Sequence, residues 1–285
     1  MTAEKDSKEW KDFLEHTWSI ASKAAGGTVG VVASIGTGYP LVGALTAPFV
    51  AVNLEKIGKE LISRRLGARE EQRLGLGVRL AYEKFKERVD RRDRVREDGY
   101  FDDDGSGRSA ADEINEASLN AAMRAYEEKK IPYIANLMAN ICFDDSVDRP
   151  TANTLVDLAN RLTYRSFVIM KICSHVDKLN LVKNLHGTEG SFSDPAKSVI
   201  CEVSNLIQCG MLVMKDNDDT NQAYGLMGLD SVNPSITRLD TMGRILYALA
   251  GLSEIAETDE VYVKTVEALR MPLDEGVHPA APPFA

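Results

Sequence analysis

The chain has 285 residues, 44% of them hydrophobic and 27% charged, with a formal net charge of −9. That composition suits one large or two small globular domains and disfavours nucleic-acid binding by the surface as a whole. Aromatics are only 7% of the chain, while Ala, Leu, Glu, Lys and Arg are plentiful, so a mainly α fold is expected. The cysteines Cys142, Cys173, Cys201 and Cys209 never form C-x-x-C. The acidic start MTAEKDSKEW does not read as a secretory signal, and a reducing cytosol fits both observations.

Residues 1–54 read as an amphipathic helix and a glycine-rich membrane segment. In SKEWKDFLEHTWSIASK, Trp10, Phe13, Leu14, Trp18 and Ala21 share one helical face. Trp10 and Trp18 are the chain's two tryptophans and stand where a membrane-interface anchor would lie. From Ala24 to Leu54 there follow thirty-one residues without a charge, long enough to be read as a transmembrane candidate. Their eleven strongly apolar residues favour insertion by about 5 kcal/mol in all, most of which the glycines, prolines and hydroxyls offset. Pro40 divides the run into halves too short to span alone, so a kinked span and a re-entrant hairpin are both open. Gly26, Gly30, Ser34 and Gly38 form a small-residue stripe that suits close packing in a homo-oligomer or pore. The alternative is a glycine-rich hairpin buried in a soluble core. Lys56, Lys59, Arg64, Arg65 and Arg69 follow the run, against Lys11 and Lys23 before it. This places most of the chain on the cytoplasmic side of an inner (cytoplasmic) membrane.

Residues 55–108 comprise basic amphipathic helices and an acidic turn. Residues 55–96 hold fourteen Lys/Arg against eight Asp/Glu, and Leu74, Val78, Leu80, Ala81, Phe85 and Val89 supply an apolar stripe. The arginine-rich end offers Arg88, Arg91, Arg92, Arg94 and Arg96 to a polyanion, either anionic lipid or a phosphate-bearing ligand. It also reads as a solvated face laced with pairs such as Asp90 with Arg94. The following acidic stretch fits a calcium loop loosely, with Asp102, Asp104, Ser106 and Glu113 at ligand positions one, three, five and twelve and Gly107 at the turn position six. The simpler reading is a polar turn in which Ser109 caps the next helix and Asp112 completes a capping box.

Residues 109–190 read as a helical bundle: a helix over 109–130, another opened by Pro132, and turn or capping roles for Asp144, Asp145 and Asp148. SFVIMKICSHV is apolar nearly all round and is expected to be buried, with His175 a satisfied core histidine. In residues 191–285, Asp194-Pro195 opens a helix that ends at Gly210. MLVM reads as a strand, followed by a polar turn, a second extended stretch, a helix after Gly243, and a flexible tail. That order resembles a winged-helix module. Residues 191–252 carry four basic and seven acidic groups, so a protein contact suits it better than DNA. No nucleophile elbow, P-loop, HExxH, Rossmann glycine fingerprint or paired carboxylates occurs, so no enzyme, cofactor or metal centre is expected.

KKIPYIANLMANICFDD, DLANRLTYRSFVIMKI, EVSNLIQCGMLV and ITRLDTMGRILYALAGL together resemble the bacterial abortive-infection alpha group, over about residues 55–255. The resemblance implies a small phage-defence effector. Some such operons, the Hailong type among them, pair a membrane channel with a nucleotidyltransferase whose product controls it. By resemblance the chain is then a membrane effector gated by an oligonucleotide or nucleotide, with an operon partner protein. No ligand-binding residue carries over. The rival expectation is a soluble helical scaffold or regulator whose winged-helix-like module binds another protein.

Overall fold

The computed structural model describes residues 66–179, 181, 194–215, 222–223 and 232–270. Trp10, Trp18, the uncharged run with Gly26, Gly30, Ser34 and Gly38, and the tail after residue 270 lie outside the described residues. The described part is mainly helical, with eight α-helices and one small sheet. None of its helices is long and apolar enough to cross a membrane. The described residues divide into two compact units, those up to Tyr164 with Ala248–Gly251, and those from Arg165 to Tyr247 with those from Leu252 to Arg270.

The first unit is a four-helix cluster of α1 (Ala68–Asp90), α2 (Ala110–Arg124), α3 (Ile131–Ile141) and α4 (Arg149–Arg161). α1 starts at Gly67, whose N–H donates to Glu70 Oε2 at 2.9 Å. It buries Leu74, Gly75, Gly77, Val78, Ala81 and Phe85, the expected stripe, with Leu80 and Val89 half-buried. Gly77 sits where a Cβ would stand 3.1 Å from the Cβ of Ala122 and 3.9 Å from Ile131. At its other end Arg88 donates to Asn140 at 3.0 Å, so α1 and α3 run side by side in one direction. α2 runs against both. Its Leu119 and Ala122 meet the Gly77 end, whereas Ala111 N–H donates to Tyr100 O and Arg96 N–H donates to Cys142 O near the end of α3.

The expected helix over 109–130 is shorter. α2 ends at Arg124, Ala125 turns to ψ 116°, and a 3-10 turn covers Glu128–Lys130. Tertiary bonds hold this segment out of the helix: Tyr164 N–H donates to Glu127 Oε2 at 2.8 Å, and Lys130 Nζ donates to Asn160 O at 2.9 Å. The Ser109–Asp112 capping box forms as expected. So does the cap at Asp148, whose Oδ1 accepts from Thr151 N–H at 2.9 Å, and Pro132 and Pro150 lie in the first turns of α3 and α4. Such caps satisfy N–H groups that a helix leaves unpaired.

In the second unit α5 (Tyr164–Ser174) carries the apolar run, and Phe167, Val168, Ile169, Met170 and Ile172 are all fully buried. α6 (Asp194–Gln208) ends at Gly210, φ +70°, with Met211 N–H donating back to Leu206 O. This C-terminal turn favours glycine. Strands β1 (Leu212–Lys215), β2 (Gln222–Ala223) and β3 (Thr237–Leu239) form an antiparallel sheet in the order β2-β1-β3, with Leu212 opposite Leu239 and Met214 opposite Ala223. α7 (Thr241–Leu249) and α8 (Glu260–Leu269) follow, and α8 packs on α6. The helix expected after Gly243 starts two residues before it. Gly243 lies inside α7 because a Cβ there would come within 1.9 Å of Met211 O.

Candidate functional site

The arginine-rich run leaves α1 at Asp90 and folds across the end of α3. Because the helix stops there, Asp90 and Arg94 are not a helical pair. Instead Arg94 joins Glu97 at 2.8 Å, and Arg91 reaches back to Glu87. Arg92 occupies the left-handed region, φ 65°, a post-helix position where glycine is usual. Arg88 lies 4.6 Å above the Phe143 ring and is held by Asp93 at 2.6 Å and by Asn140. Arg96 turns inward, its side chain only 2% exposed. It stacks 4.2 Å over Tyr100, is gripped by Asp98, and donates to Ile141 O at 3.3 Å.

The five arginines therefore divide into two groups. Arg88 and Arg96 fasten the linker to α3, and Arg96 meets carbonyls at the helix's negative end, Ile141 O with its side chain and Cys142 O with its N–H. Arg91, Arg92 and Arg94 stay at the surface. Burial opposes the charge on Arg96, but its hydrogen bonds and attraction to Asp98 prevail and hold its pKa above the ordinary value. Burial pushes the neighbouring Cys142 thiol up to about 12 and drives the Tyr100 hydroxyl well above its usual value, so neither is a nucleophile at neutral pH.

The acidic turn is organised by a protein cation. Arg149, at the start of α4, donates to Asp104 Oδ2 at 2.9 Å and to Glu113, and Asn153 also donates to Glu113. Two of the carboxylates at calcium-loop positions are thus neutralised by a guanidinium. Asp104 is held at about 2, chiefly by hydrogen bonds from Ser106 and Arg149. Arg149 likewise lowers Glu113. Among the described residues no three His, Cys, Asp or Glu side chains are grouped to hold a metal ion.

In the second unit Lys171 is buried and donates to Ser253 O at 3.0 Å and to Ile255 O. His175 is half-buried beside Ser174 Oγ at 2.7 Å and Lys171 O at 3.3 Å, the satisfied histidine expected. Arg165 pairs with Glu202 at 2.6 Å and Arg238 with Asp177 at 2.6 Å. The two basic groups are thereby tied to carboxylates of their own unit.

Sequence reading missed Arg149, Lys130, Lys171, Asn136 and Asn140. Asn140 Nδ2 donates to Leu249 O at 2.7 Å and Asn136 Nδ2 to Ala250 O at 3.2 Å, both acceptors lying in the Ala248–Gly251 segment that belongs to the first unit with α3. Two asparagines four apart in the apolar run IPYIANLMANI were a signal, since buried amides need partners. The cations gave none, because their partners are backbone carbonyls and carboxylates far along the chain. Models of known protein families, curated proteins and solved structures all give no match to this chain. The abortive-infection resemblance rests on the four quoted segments alone.

Proposed function

We propose that this chain is a membrane effector of antiphage, abortive-infection defence that self-assembles through residues 24–54 into a channel. The observation that carries the reading is the thirty-one-residue uncharged run, preceded by Trp10 and Trp18 and followed by basic residues. A run that inserts weakly alone but carries Gly26, Gly30, Ser34 and Gly38 gains most by inserting as an assembly. In this reading the helical remainder stands on the cytoplasmic side of the inner membrane. Arg91, Arg92 and Arg94 supply exposed contacts for anionic lipid or for an oligonucleotide or nucleotide signal, and the winged-helix-like module is a protein contact. The acid-rich module favours that use, because phosphate contacts dominate DNA affinity.

The test is fractionation of the expressed full chain. The reading expects it in the membrane pellet after high-salt and carbonate washes, as a detergent-stable oligomer that arrests growth on overexpression. Changing Gly30 and Ser34 to Leu raises insertion propensity by about 1 kcal/mol, yet should shrink the oligomer and abolish toxicity. Recovery of the wild type as soluble protein without detergent ends the channel reading. The soluble scaffold, with its module bound to another protein, then takes its place.

A further inference from the structure

Among the described residues, five buried side-chain polar atoms have no protein hydrogen-bond partner, and four of them lie on α2: Asp112 Oδ1, Asn115 Nδ2, Ser118 Oγ and Asn120 Oδ1. Asn115 and Ser118 are 2% and 1% exposed. Asn115 stands four residues before Leu119 and Ser118 four before Ala122, and Leu119 and Ala122 line the approach to Gly77 of α1. Residues four apart share a helix face. The α1-facing stripe of α2 is therefore apolar in its second half and polar in its first. With the two helices running in opposite directions, the polar half lies along the turns of α1 that bury Val78, Ala81 and Phe85. Those side chains offer neither donor nor acceptor, and unmatched polar atoms weaken the packing they sit in.

On its other side the first turn of α2 is tied down. Glu113 accepts from Arg149 and Asn153 of α4, and Arg149 also holds Asp104 of the acidic turn. We propose that α2 is a releasable element, poorly matched to α1 along the Asn115–Ser118 seam and latched to α4 by Arg149. The seam stores the tendency of α2 to part from α1, and the latch sets when it does. The alternative is a water bridging the seam atoms, which would hold the interface about as firmly as a direct bond. The inference stands whether or not residues 24–54 enter a membrane.

The test is amide hydrogen exchange and urea unfolding on the purified full chain. In the wild type, α2 amides should exchange at least tenfold faster than those of α3. N115L/S118A should slow α2 at least tenfold and raise the urea midpoint. Arg149→Gln should speed α2 at least tenfold while leaving α6 unchanged, and adding N115L/S118A to it should restore slow exchange. Should the double variant misfold through the added leucine volume, Ser118→Ala alone decides, since it adds no bulk. It should slow α2 exchange without lowering the midpoint. Protection of α2 equal to that of α3 in the wild type, or a midpoint lowered by Ser118→Ala, overturns the proposal in favour of a firmly bridged seam.

Discussion

Gly243→Ala is a sharp test of the packing in the second unit. The added methyl would stand 1.9 Å from Met211 O, over 1 Å inside any real Cβ contact, with Met211 C at 2.9 Å and Met211 Cα at 3.3 Å behind it. All three are backbone atoms, so no side chain can swing aside. Either α7 or the turn before β1 must move. Met211 O also accepts from Asp240 N–H at 3.0 Å, next to the pairing of Leu212 with Leu239, so the shift disturbs that bond too. Overpacking of this kind costs about 3 kcal/mol and the strained hydrogen bond about 1 kcal/mol. Higher helix propensity returns about 1 kcal/mol. The net loss is about 3 kcal/mol, a fall in Tm of roughly 6–12 °C for a chain of this size. Thermal unfolding followed by circular dichroism at 222 nm reads it. A variant stabilised by the propensity gain alone would refute the close approach of α7 to Met211.

Asn140→Leu keeps the branched shape of the side chain, with some added bulk, but leaves Leu249 O and Arg88 without their amide partner. It should cost about 2–4 kcal/mol in urea unfolding, since buried groups lose bonds they cannot replace. The pKa values of Asp104, at about 2, and Glu113, lowered by Arg149, are depressed in the folded state. Their stabilisation is complete above the ordinary carboxylate range and is lost as pH falls from about 5 toward 2. Urea midpoints taken across that window should decline, and Arg149→Gln should flatten the decline. Cys209 is exposed, whereas burial holds Cys142 and Cys173 at about 12. A thiol-disulfide reagent at pH 8 should therefore label Cys209 at once and the other two only on unfolding.

Local signals in this sequence carried local structure well. The α1 stripe, the Ser109–Asp112 box, the caps at Asp148 and Gly210 and the burial of SFVIMKI are each determined within about seven residues, by side-chain period or by one cap. Errors arose where distant partners decide. The helix over 109–130 breaks because Glu127 and Lys130 bond to Tyr164 and Asn160. Gly243 read as a helix start because nothing in its neighbourhood announces Met211. The calcium pattern in the acidic turn names carboxylates correctly but not the charge that meets them, and Arg149 lies 36 residues beyond Glu113.

The same logic separates cations that build this protein from those available to a ligand. A count of arginines over 88–96 treats all five alike, yet a cation near a helix's last carbonyls is already stabilised by the dipole and by unpaired oxygens. Arg96 at α3 and Lys130 at α4 are used in this way, Lys171 is held by the carbonyls of Ser253 and Ile255, and all three are buried. Arg88 is spent between Phe143, Asp93 and Asn140. What faces solvent is Arg91, Arg92 and Arg94, and the side chains of Arg91 and Arg94 are 64% and 77% exposed. Their pairs with Glu87 and Glu97 are exposed, hence weak, and can exchange for phosphate at little cost. A polyanion that meets this protein over 88–96 thus meets three charges rather than five, and its affinity should fall with salt as three contacts require, with a log–log slope of roughly −2 for a single strand.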